Sequence, residues 1–307
     1  MVHTPVLARE VIRFLRCRQG DITIDCTVDG GGHAEAILRA CGESGRLIGF
    51  DWDDEAIAAA RERLAPFGDR VELHHDSFVQ GLQALAPNFA NLVAGILFDI
   101  GVSAAQIERG ERGMSYRHEG PLDMRMDRRS TKTARTLIDN SSWQDLARII
   151  RRYGEEPRAR TIARRIALAH QRRPIESTAE LARIIEQSVP RPFRNKALAR
   201  TFQAIRIAVN DELEEFEQGL RAAFPLLRIG GRLVVISYHS LEDRIAKETF
   251  RRWAVGCTCP PGLPQCICGG QSRFKILTPR PARPTSGETM SNPRARSAKL
   301  RAGERLG

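Results

Sequence analysis

The sequence predicts an α/β protein with an open, mostly parallel sheet that is interrupted by an all-helical insert. Short apolar runs alternate with helical patterns up to residue 107 and again from residue 201. Residues 108–200 have helical periodicity and no convincing strand pattern. Acids follow three successive predicted strands, at Asp51, Asp76 and Asp99. The carboxyl ends of parallel strands form the ligand crevice of such a sheet, so these acids mark the expected site.

The size and charge of the chain indicate about two domains and an anionic partner. The chain has 307 residues and a formal net charge of +11, with a sequence pI near 9.9. That balance favours nucleic acid first and a membrane surface second. Only five of the 48 basic residues are lysines. Arginine stacks on bases and clamps phosphates, although genomic codon bias is an equally good explanation of the ratio.

Neither a long apolar run nor a basic and then apolar leader is visible at the start of the sequence. We therefore expect a cytoplasmic protein without a membrane segment. The seven cysteines, an odd number, fit reduced thiols better than a disulfide framework.

The first helix is predicted around Val11 and Leu15, and the most informative stretch follows it at residues 22–33. A β-branched run passes Asp25, breaks at three consecutive glycines that end with Gly32, and leads into a helical pattern. A strand that turns through glycines into a helix lets the backbone approach a ligand and points free N–H groups at it. The next strand ends at Asp51, which is placed to accept hydrogen bonds from a ribose diol. The two features together predict a pocket for a nucleoside-type cofactor.

The identity of that cofactor depends on Glu35. A dinucleotide fingerprint requires glycine three residues after Gly32, and Glu35 occupies that position. A carboxylate at a helix N-terminus opposes a pyrophosphate but suits the sulfonium and ammonium groups of S-adenosylmethionine. A nicotinamide-dependent oxidoreductase and a glycine-rich turn without any cofactor are the alternatives.

Two further strands complete the predicted crevice. The strand at residues 71–75 leads to Phe78, whose ring could stack on adenine, although an ordinary loop exit explains it equally well. Residues 92–98 are continuously apolar, as a parallel strand covered on both faces should be, and end at Asp99. The basic charge of the chain and a pocket suited to S-adenosylmethionine together suggest a nucleic-acid methyltransferase. If its methyl acceptor is an exocyclic amine of a base, a carboxylate must hold the amine and accept its developing charge, and we assign that role to Asp99. Single-stranded RNA presents an unstacked base at the lowest cost.

The helical insert has apolar rows separated by basic residues. Helices are predicted after Ser142, around Ile162 and Ile166, and after a capping box formed by Ser177 and Glu180. The arginines between these rows have few compensating acids: Arg148, Arg151, Arg152, Arg158, Arg160, Arg164, Arg165, Arg172 and Arg173. We interpret them as a nucleic-acid contact, with an ordinary solvated face as the alternative.

The α/β pattern is predicted to resume at residues 202–209, followed by an acidic helix at 211–218. A buried strand at residues 232–237 then ends at Tyr238 and His239, and weak strands follow at 274–277 and 297–301. Two cysteine pairs, Cys257 with Cys259 and Cys266 with Cys268, form a candidate structural zinc site. One residue separates each pair, where two are usual, so free or redox-active thiols are the alternative.

Eight segments of the chain resemble one family, and they run nearly from end to end. They are HTPVL (3–7), TVDGGGH (27–33), DIGVS (99–103), GPLDMRMD (120–127), YGEE (153–156), RTFQAIRIAVN (200–210), SYHSLED (237–243) and NPRARS (292–297). The family is that of the bacterial 16S ribosomal RNA cytosine-N4 methyltransferases, also called the MraW family. Its motifs are far more specific than a single glycine-rich loop.

The resemblance implies a class I (Rossmann-like) S-adenosylmethionine-dependent methyltransferase sheet, here residues 1–107 and 201–307, with an inserted all-helical domain at 108–200 for RNA recognition. It implies S-adenosylmethionine as methyl donor, and as acceptor the N4 amine of a cytidine in the decoding (P-site) region of 16S rRNA. The expected partner is that rRNA within the small ribosomal subunit. No oligomeric state is predicted.

The resemblance also assigns site residues. The cofactor positions are Gly31, Gly32, His33, Asp51, Phe78, Asp99 and Gln106. Amino-methyltransferases of DNA often have an Asp/Asn-Pro-Pro-Tyr strand end, whereas this chain has Asp-Ile-Gly-Val from Asp99. We nominate Asp99 as the catalytic group and His239 as a second candidate on the substrate side. A DNA cytosine-N4 methylase and a non-catalytic RNA-binding ribosome assembly factor are the alternative functions.

Overall fold

The computed structural model describes residues 5–256 and 270–307. The chain divides into two compact units, one formed by Met1–Gly101 with Leu213–Gly307 and the other by Val102–Glu212. The strands and helices have the following bounds.

The strands are β1 (Ile22–Asp25), β2 (Arg46–Asp51), β3 (Val71–His75), β4 (Val93–Asp99), β5 (Leu227–Ser237), β6 (Phe274–Ile276) and β7 (Lys299–Arg305). The α-helices are α1 (Ala8–Leu15), α2 (Gly32–Ala40), α3 (Asp54–Leu64), α4 (Phe78–Phe89), α5 (Ala104–Glu108), α6 (Ala134–Asp139), α7 (Trp143–Gly154), α8 (Ala159–Arg172), α9 (Thr178–Ser188), α10 (Arg194–Asn210), α11 (Glu212–Ala223), α12 (Ser240–Ala254) and α13 (Ser286–Ser291).

The first unit is built on a single seven-stranded sheet in the order β3-β2-β1-β4-β5-β7-β6. Strands β1 to β5 are parallel, while β7 runs antiparallel to β5 and to β6. This arrangement confirms the predicted α/β fold with its mostly parallel sheet. The two weak strands of the C-terminal region are present as β6 and β7. The strand order reverses between β1 and β4, so the ligand crevice of the sheet is expected beside the ends of those two strands.

Apolar side chains cover both faces of the sheet. Along β4, Ile96 and Phe98 belong to one buried cluster, with the side chains of α4, α11 and α12, while Leu97 belongs to another, with those of α1, α2 and α3. Strand β5 alternates in the same way, with Val235 in the first cluster and Val234 in the second. Successive residues of a strand point to opposite faces, so a strand covered on both sides must be apolar throughout. That explains the uninterrupted apolar run that predicted β4.

Substitution of Gly81 by alanine is expected to destabilise the first unit. A Cβ atom at Gly81 of α4 would lie 2.0 Å from the Phe50 ring, which is buried in β2 and cannot easily move. Overpacking of this kind costs roughly 1–3 kcal/mol, which thermal or urea unfolding would measure. Gly287 of α13 is the matched control, because its nearest neighbour to an added Cβ is the Thr285 hydroxyl at 3.9 Å. An equal loss of stability in Gly81→Ala and Gly287→Ala would contradict the steric explanation.

The second unit is helical, as predicted, and its described residues contain an isolated β-bridge between Pro121 and Ser177 but no strand. The Ser142 side chain accepts from the Asp145 N–H, and the reciprocal bond completes a capping box at α7. Ser177 caps α9 by accepting from the Glu180 N–H, but the Glu180 carboxylate accepts from the Glu176 N–H instead of closing the predicted box.

The predicted return to alternating strands and helices at residue 202 is wrong, because no strand begins there. Residues 202–209 form the second half of the long helix α10, where Phe202, Ile205 and Val209 are buried at helical spacing. Isoleucine and valine in an apolar run look like a strand locally, and only the continuation from residue 194 identifies a helix.

Among residues 5–256 and 270–307, none of the helices combines the length and the hydrophobicity that a membrane crossing requires.

Candidate active site

The glycine-rich turn lies between β1 and α2, as the sequence predicts. Gly31 has a φ of 77°, a left-handed conformation that favours glycine, and a Cβ there would lie 3.3 Å from the Ala60 backbone. A Cβ at Gly32 would lie 3.1 Å from Arg63 Nη1. Both glycines therefore allow the turn to pack against α3 and its side chains. A Cβ at Gly30 would meet no atom within 4 Å, so the open side of the turn is at Gly30.

Asp51 ends β2 and is fixed by two backbone hydrogen bonds. One carboxylate oxygen accepts from the Asp29 N–H in the glycine-rich turn at 2.9 Å, and the other accepts from the Asp53 N–H at 2.9 Å. Each oxygen retains a second lone pair, which is the acceptor capacity that a ribose diol needs. Burial raises the Asp51 pKa to about 7, because removal from water disfavours the charged form.

Asp99, at the end of β4, is held from two sides. Its Oδ1 accepts from the Tyr238 hydroxyl at 2.9 Å, and its Oδ2 lies 3.3 Å from His33 Nε2. The Asp99 N–H donates to Thr27 Oγ1 at 2.7 Å. Gly101 allows this arrangement, since a Cβ at that position would lie 3.1 Å from the Tyr238 ring. The Asp99 side chain is 20% exposed, so its carboxylate is oriented and still open to a reactant.

Acidic side chains are concentrated at this end of the sheet, and burial opposes their ionisation. Asp25, at the end of β1, is fully buried, and desolvation raises its pKa to about 6. Burial alone would lower the His33 pKa, because it favours the neutral ring. The hydrogen bond and the charge of Asp99 outweigh burial and raise the His33 pKa, and the charges of Asp25 and Asp29 add to this. Burial, followed by the Asp99 charge, holds the Tyr238 pKa well above its usual range, so the phenol remains a donor. A cation is the ligand that such a crevice stabilises.

Phe78 begins α4 and is 7% exposed. Its ring packs edge-on against Phe98, with centroids 5.4 Å apart, and a Cβ at Gly219 would lie 2.4 Å from it. Trp52 directly follows Asp51, is half-buried, and has its ring centroid 6.3 Å from that of Phe78. Trp52 is therefore the more accessible aromatic surface beside Asp51, with Phe78 behind it. Sequence reasoning did not select Trp52, although an aromatic residue next to the strand-end acid is a usable signal.

His239 is engaged as the N-cap of α12. Its Nδ1 accepts from the Glu242 N–H at 3.4 Å, and a Glu242 carboxylate oxygen accepts from the Tyr238 and His239 N–H groups. His239 Nε2 lies 2.9 Å from the second oxygen of Glu242. This ring therefore orients the segment that carries Tyr238, and the structure does not place it as an independent base.

The remaining predicted residues are Gln106 and the four cysteines of the candidate zinc site. Gln106 belongs to the second unit, where its side-chain oxygen accepts from the Ser103 N–H and its own N–H donates to Ser103 Oγ. The four cysteines of the candidate zinc site, Cys257, Cys259, Cys266 and Cys268, lie outside the described residues. Within residues 5–256 and 270–307, no cluster of three or more His, Cys, Asp or Glu side chains could hold a metal ion.

The described residues thus form a Rossmann-like seven-stranded sheet with an antiparallel β7, and a crevice rich in acids lies at its switch point. The chain belongs to the MraW methylase family, whose sequence profile matches residues 1–306.

Relatives support this membership over nearly their full length. The chain is 50% identical over 303 residues to "Ribosomal RNA small subunit methyltransferase H" of Symbiobacterium thermophilum, covering 98% of this chain and 95% of the relative. It is 50% identical over 307 residues to the protein of that name in Geobacter sulfurreducens, covering 99% of both chains. A solved structure of an rRNA methylase from Streptococcus thermophilus spans 100% of this chain and 99% of its own, at 12% identity and a TM-score of 0.43.

Proposed function

We propose that this protein transfers the methyl group of S-adenosylmethionine to the N4 amine of a cytidine in the P-site region of 16S rRNA. The acidic crevice at the ends of β1, β2 and β4 is the observation that carries the proposal. Asp25, Asp51 and Asp99 converge on the glycine-rich turn, a setting that suits a sulfonium and an ammonium and repels a pyrophosphate. The relatives named as small-subunit rRNA methyltransferases support ribosomal RNA as the substrate.

In this proposal different residues of the crevice bind different parts of the donor. Asp51 receives the ribose hydroxyls, the backbone at Gly30 to Gly32 approaches the amino-acid portion, and Trp52 with Phe78 borders the adenine. Bound S-adenosylmethionine supplies a methyl group on a positively charged sulfur. The protein then mainly has to align donor and acceptor in a site that excludes water.

Asp99 acts on the acceptor amine. The N4 lone pair of cytosine is conjugated with the ring, so the amine gains positive charge as its bond to the methyl carbon forms. The Asp99 carboxylate, fixed by Tyr238 and adjacent to His33, stabilises that charge and receives the N–H proton as the S–CH₃ bond breaks. Because Tyr238 and His33 approach different oxygens, the carboxylate cannot rotate away from the amine.

The alternatives make different predictions. A nicotinamide oxidoreductase does not fit membership of a methylase family or the acidic crevice. A DNA cytosine-N4 methylase would act on DNA and not on small subunits. A non-catalytic assembly factor would keep its cellular role after Asp99→Ala and lose it after charge reversal in α8.

The direct test is methyl transfer to small subunits from a strain that lacks this enzyme, with S-adenosylmethionine as donor and mass identification of the product nucleoside. N4-methylated cytidine from the P-site region is the expected product. Methylation of another base, or of DNA in preference to subunits, would contradict the proposal. Free 16S rRNA in a parallel reaction shows whether assembly of the subunit is required.

Binding of S-adenosylmethionine is expected to strengthen as the pH rises from 6 to 8. Burial holds the pKa of Asp25 at about 6 and that of Asp51 at about 7 in the free protein, and a bound cation favours their ionised forms. Binding then releases protons, so affinity increases with pH until both groups are ionised without the ligand. One group with a pKa of 7 gives about a tenfold gain in affinity over this range.

Calorimetry in buffers of different ionisation enthalpy measures both the affinity and the protons released. S-adenosylhomocysteine is the matched control, because it lacks the sulfonium charge and keeps the ribose and ammonium groups. We expect its affinity to change less with pH. An identical pH dependence for the two ligands would show that the carboxylates do not respond to the sulfonium.

A further inference from the structure

A groove on the second unit, formed entirely by residues of that unit, combines positive charge with aromatic surface. It is formed by α7 and the beginning of α8 and has a volume of about 960 Å³. Its lining includes four arginines and a single acid, Asp145. The aromatic side chains Trp143 and Tyr153 also line it.

The charges of this groove are largely uncompensated. Arg148, Arg151, Arg152 and Arg160 are all exposed. Arg148 pairs with Asp145, while Arg151 Nη1 reaches only the Glu156 carbonyl oxygen, at 3.5 Å. Within the described residues, no acid is paired with Arg152 or Arg160. Guanidinium groups facing solvent in a concave surface form an anion-binding surface, and they match phosphate oxygens bidentately.

The aromatic side chains restrict the class of anion. Trp143 and Tyr153 are half-buried in the groove, with the Arg164 guanidinium 4.4 Å from the indole centroid and that of Arg152 5.4 Å from the phenol centroid. A nucleobase can stack on such rings and on guanidinium planes, but only when it is not already stacked in a helix. An acidic peptide would use the arginines but would make no use of the aromatic surface that lines the groove.

We propose that this groove binds a single-stranded segment of RNA, with its phosphates on Arg151, Arg152 and Arg160 and at least one unstacked base against Tyr153 or Trp143. This inference rests on the proposed function, since it identifies a contact on the second unit for the same RNA substrate. The ligand proposed for the groove is single-stranded RNA and not a duplex.

The first test measures the salt dependence of binding of the full chain to a short oligocytidylate. The double variant Arg152→Gln with Arg160→Gln removes two phosphate contacts. Its plot of log K against log salt should therefore be less steep, by about 1.4 in the magnitude of the slope. Arg183→Gln with Arg191→Gln is the matched control, because both residues are exposed on the same unit, the double variant loses the same net charge, and neither residue lines the groove. Equal slopes in the two double variants would overturn the inference.

The second test concerns stacking. Tyr153→Leu should weaken oligocytidylate binding about 5- to 150-fold, while Tyr153→Phe, which keeps the ring, should bind nearly as well as the wild type. Oligocytidylate should also quench tryptophan fluorescence, and most of that quenching should disappear in Trp143→Phe. Equal affinity for a duplex of the same length would contradict the single-strand assignment. So would polyglutamate that displaces the RNA and quenches tryptophan fluorescence to the same extent.

Methylation of small subunits by the wild type separates the two proposals. If the wild type methylates subunits and the groove variants bind RNA normally, the groove inference is wrong and the proposed function stands. If the groove variants lose RNA binding and the wild type methylates no subunit, the groove inference stands and the proposed function is wrong. Unchanged melting temperatures show that lost binding is not lost folding.

Discussion

Replacement of Asp99 by asparagine is expected to lower the rate of methyl transfer about 100- to 1000-fold. Asparagine has the same shape but cannot accept the amine proton, and its amide is neutral where a charge must be stabilised. The Tyr238 hydroxyl would still find an oxygen acceptor, so the fold around β4 should be retained. Single-turnover transfer to small subunits, with enzyme in excess, measures this step without product release.

Two further variants show whether the loss of rate arises in the methyl-transfer step. Tyr238→Phe removes the hydrogen bond to Asp99 Oδ1 but keeps the ring, and we expect an intermediate rate. Asp69→Asn changes an exposed acid of the same unit and should leave the rate unchanged. A normal rate in Asp99→Asn with a normal melting temperature would remove Asp99 from the mechanism and leave the proton acceptor unassigned.

Substitution of Asp51 by alanine should weaken binding of S-adenosylmethionine by on the order of 1–3 kcal/mol, the cost of leaving ribose hydroxyls unpaired. The same substitution frees the N–H groups of Asp29 and Asp53, which the carboxylate now orders. The glycine-rich turn therefore loses an anchor together with the ribose contact. Calorimetric titration with S-adenosylmethionine and with adenosine measures the loss.

The adenosine titration distinguishes ribose binding from attraction of the sulfonium. If Asp51 holds the ribose, adenosine and S-adenosylmethionine should lose similar amounts of binding free energy. Asp54→Ala is the control, because Asp54 is an exposed acid that begins α3 only three residues away. Wild-type affinity in Asp51→Ala would contradict the assignment, and a loss confined to S-adenosylmethionine would assign Asp51 to the sulfonium instead.

Local patterns in the sequence were sufficient for much of the fold. The strands β1 to β4 and the glycine-rich turn follow from period-2 and apolar runs, and the strand-end acids follow from where those runs stop. The insertion of β7 between β5 and β6 could not be predicted in this way. Those pairings join residues about 25 to 70 positions apart, and local periodicity contains no information about strand partners.

The candidate site shows the same division between local and distant information. Asp51 and Asp99 could be selected because each ends an apolar run. The contact of Tyr238 with Asp99 joins the ends of β5 and β4, which are 139 positions apart in the chain. The role of His239 as an N-cap depends on Glu242 three residues later, a signal that the sequence did contain. Histidine is an uncommon cap, so the local sequence does not by itself indicate this role.

The position of β7 has a consequence for biosynthesis. β7 is the last of the seven strands to be translated, yet it lies inside the sheet and pairs with β5 along six residues, Arg232 to Ser237. Until it emerges from the exit tunnel, the nascent chain presents β5 as an open edge, which is the form most prone to wrong pairing. The strand that leads to Tyr238 therefore gains its second neighbour only after β7 has been synthesised. Chains released early lack that support, so prematurely terminated copies should be inactive as well as unstable.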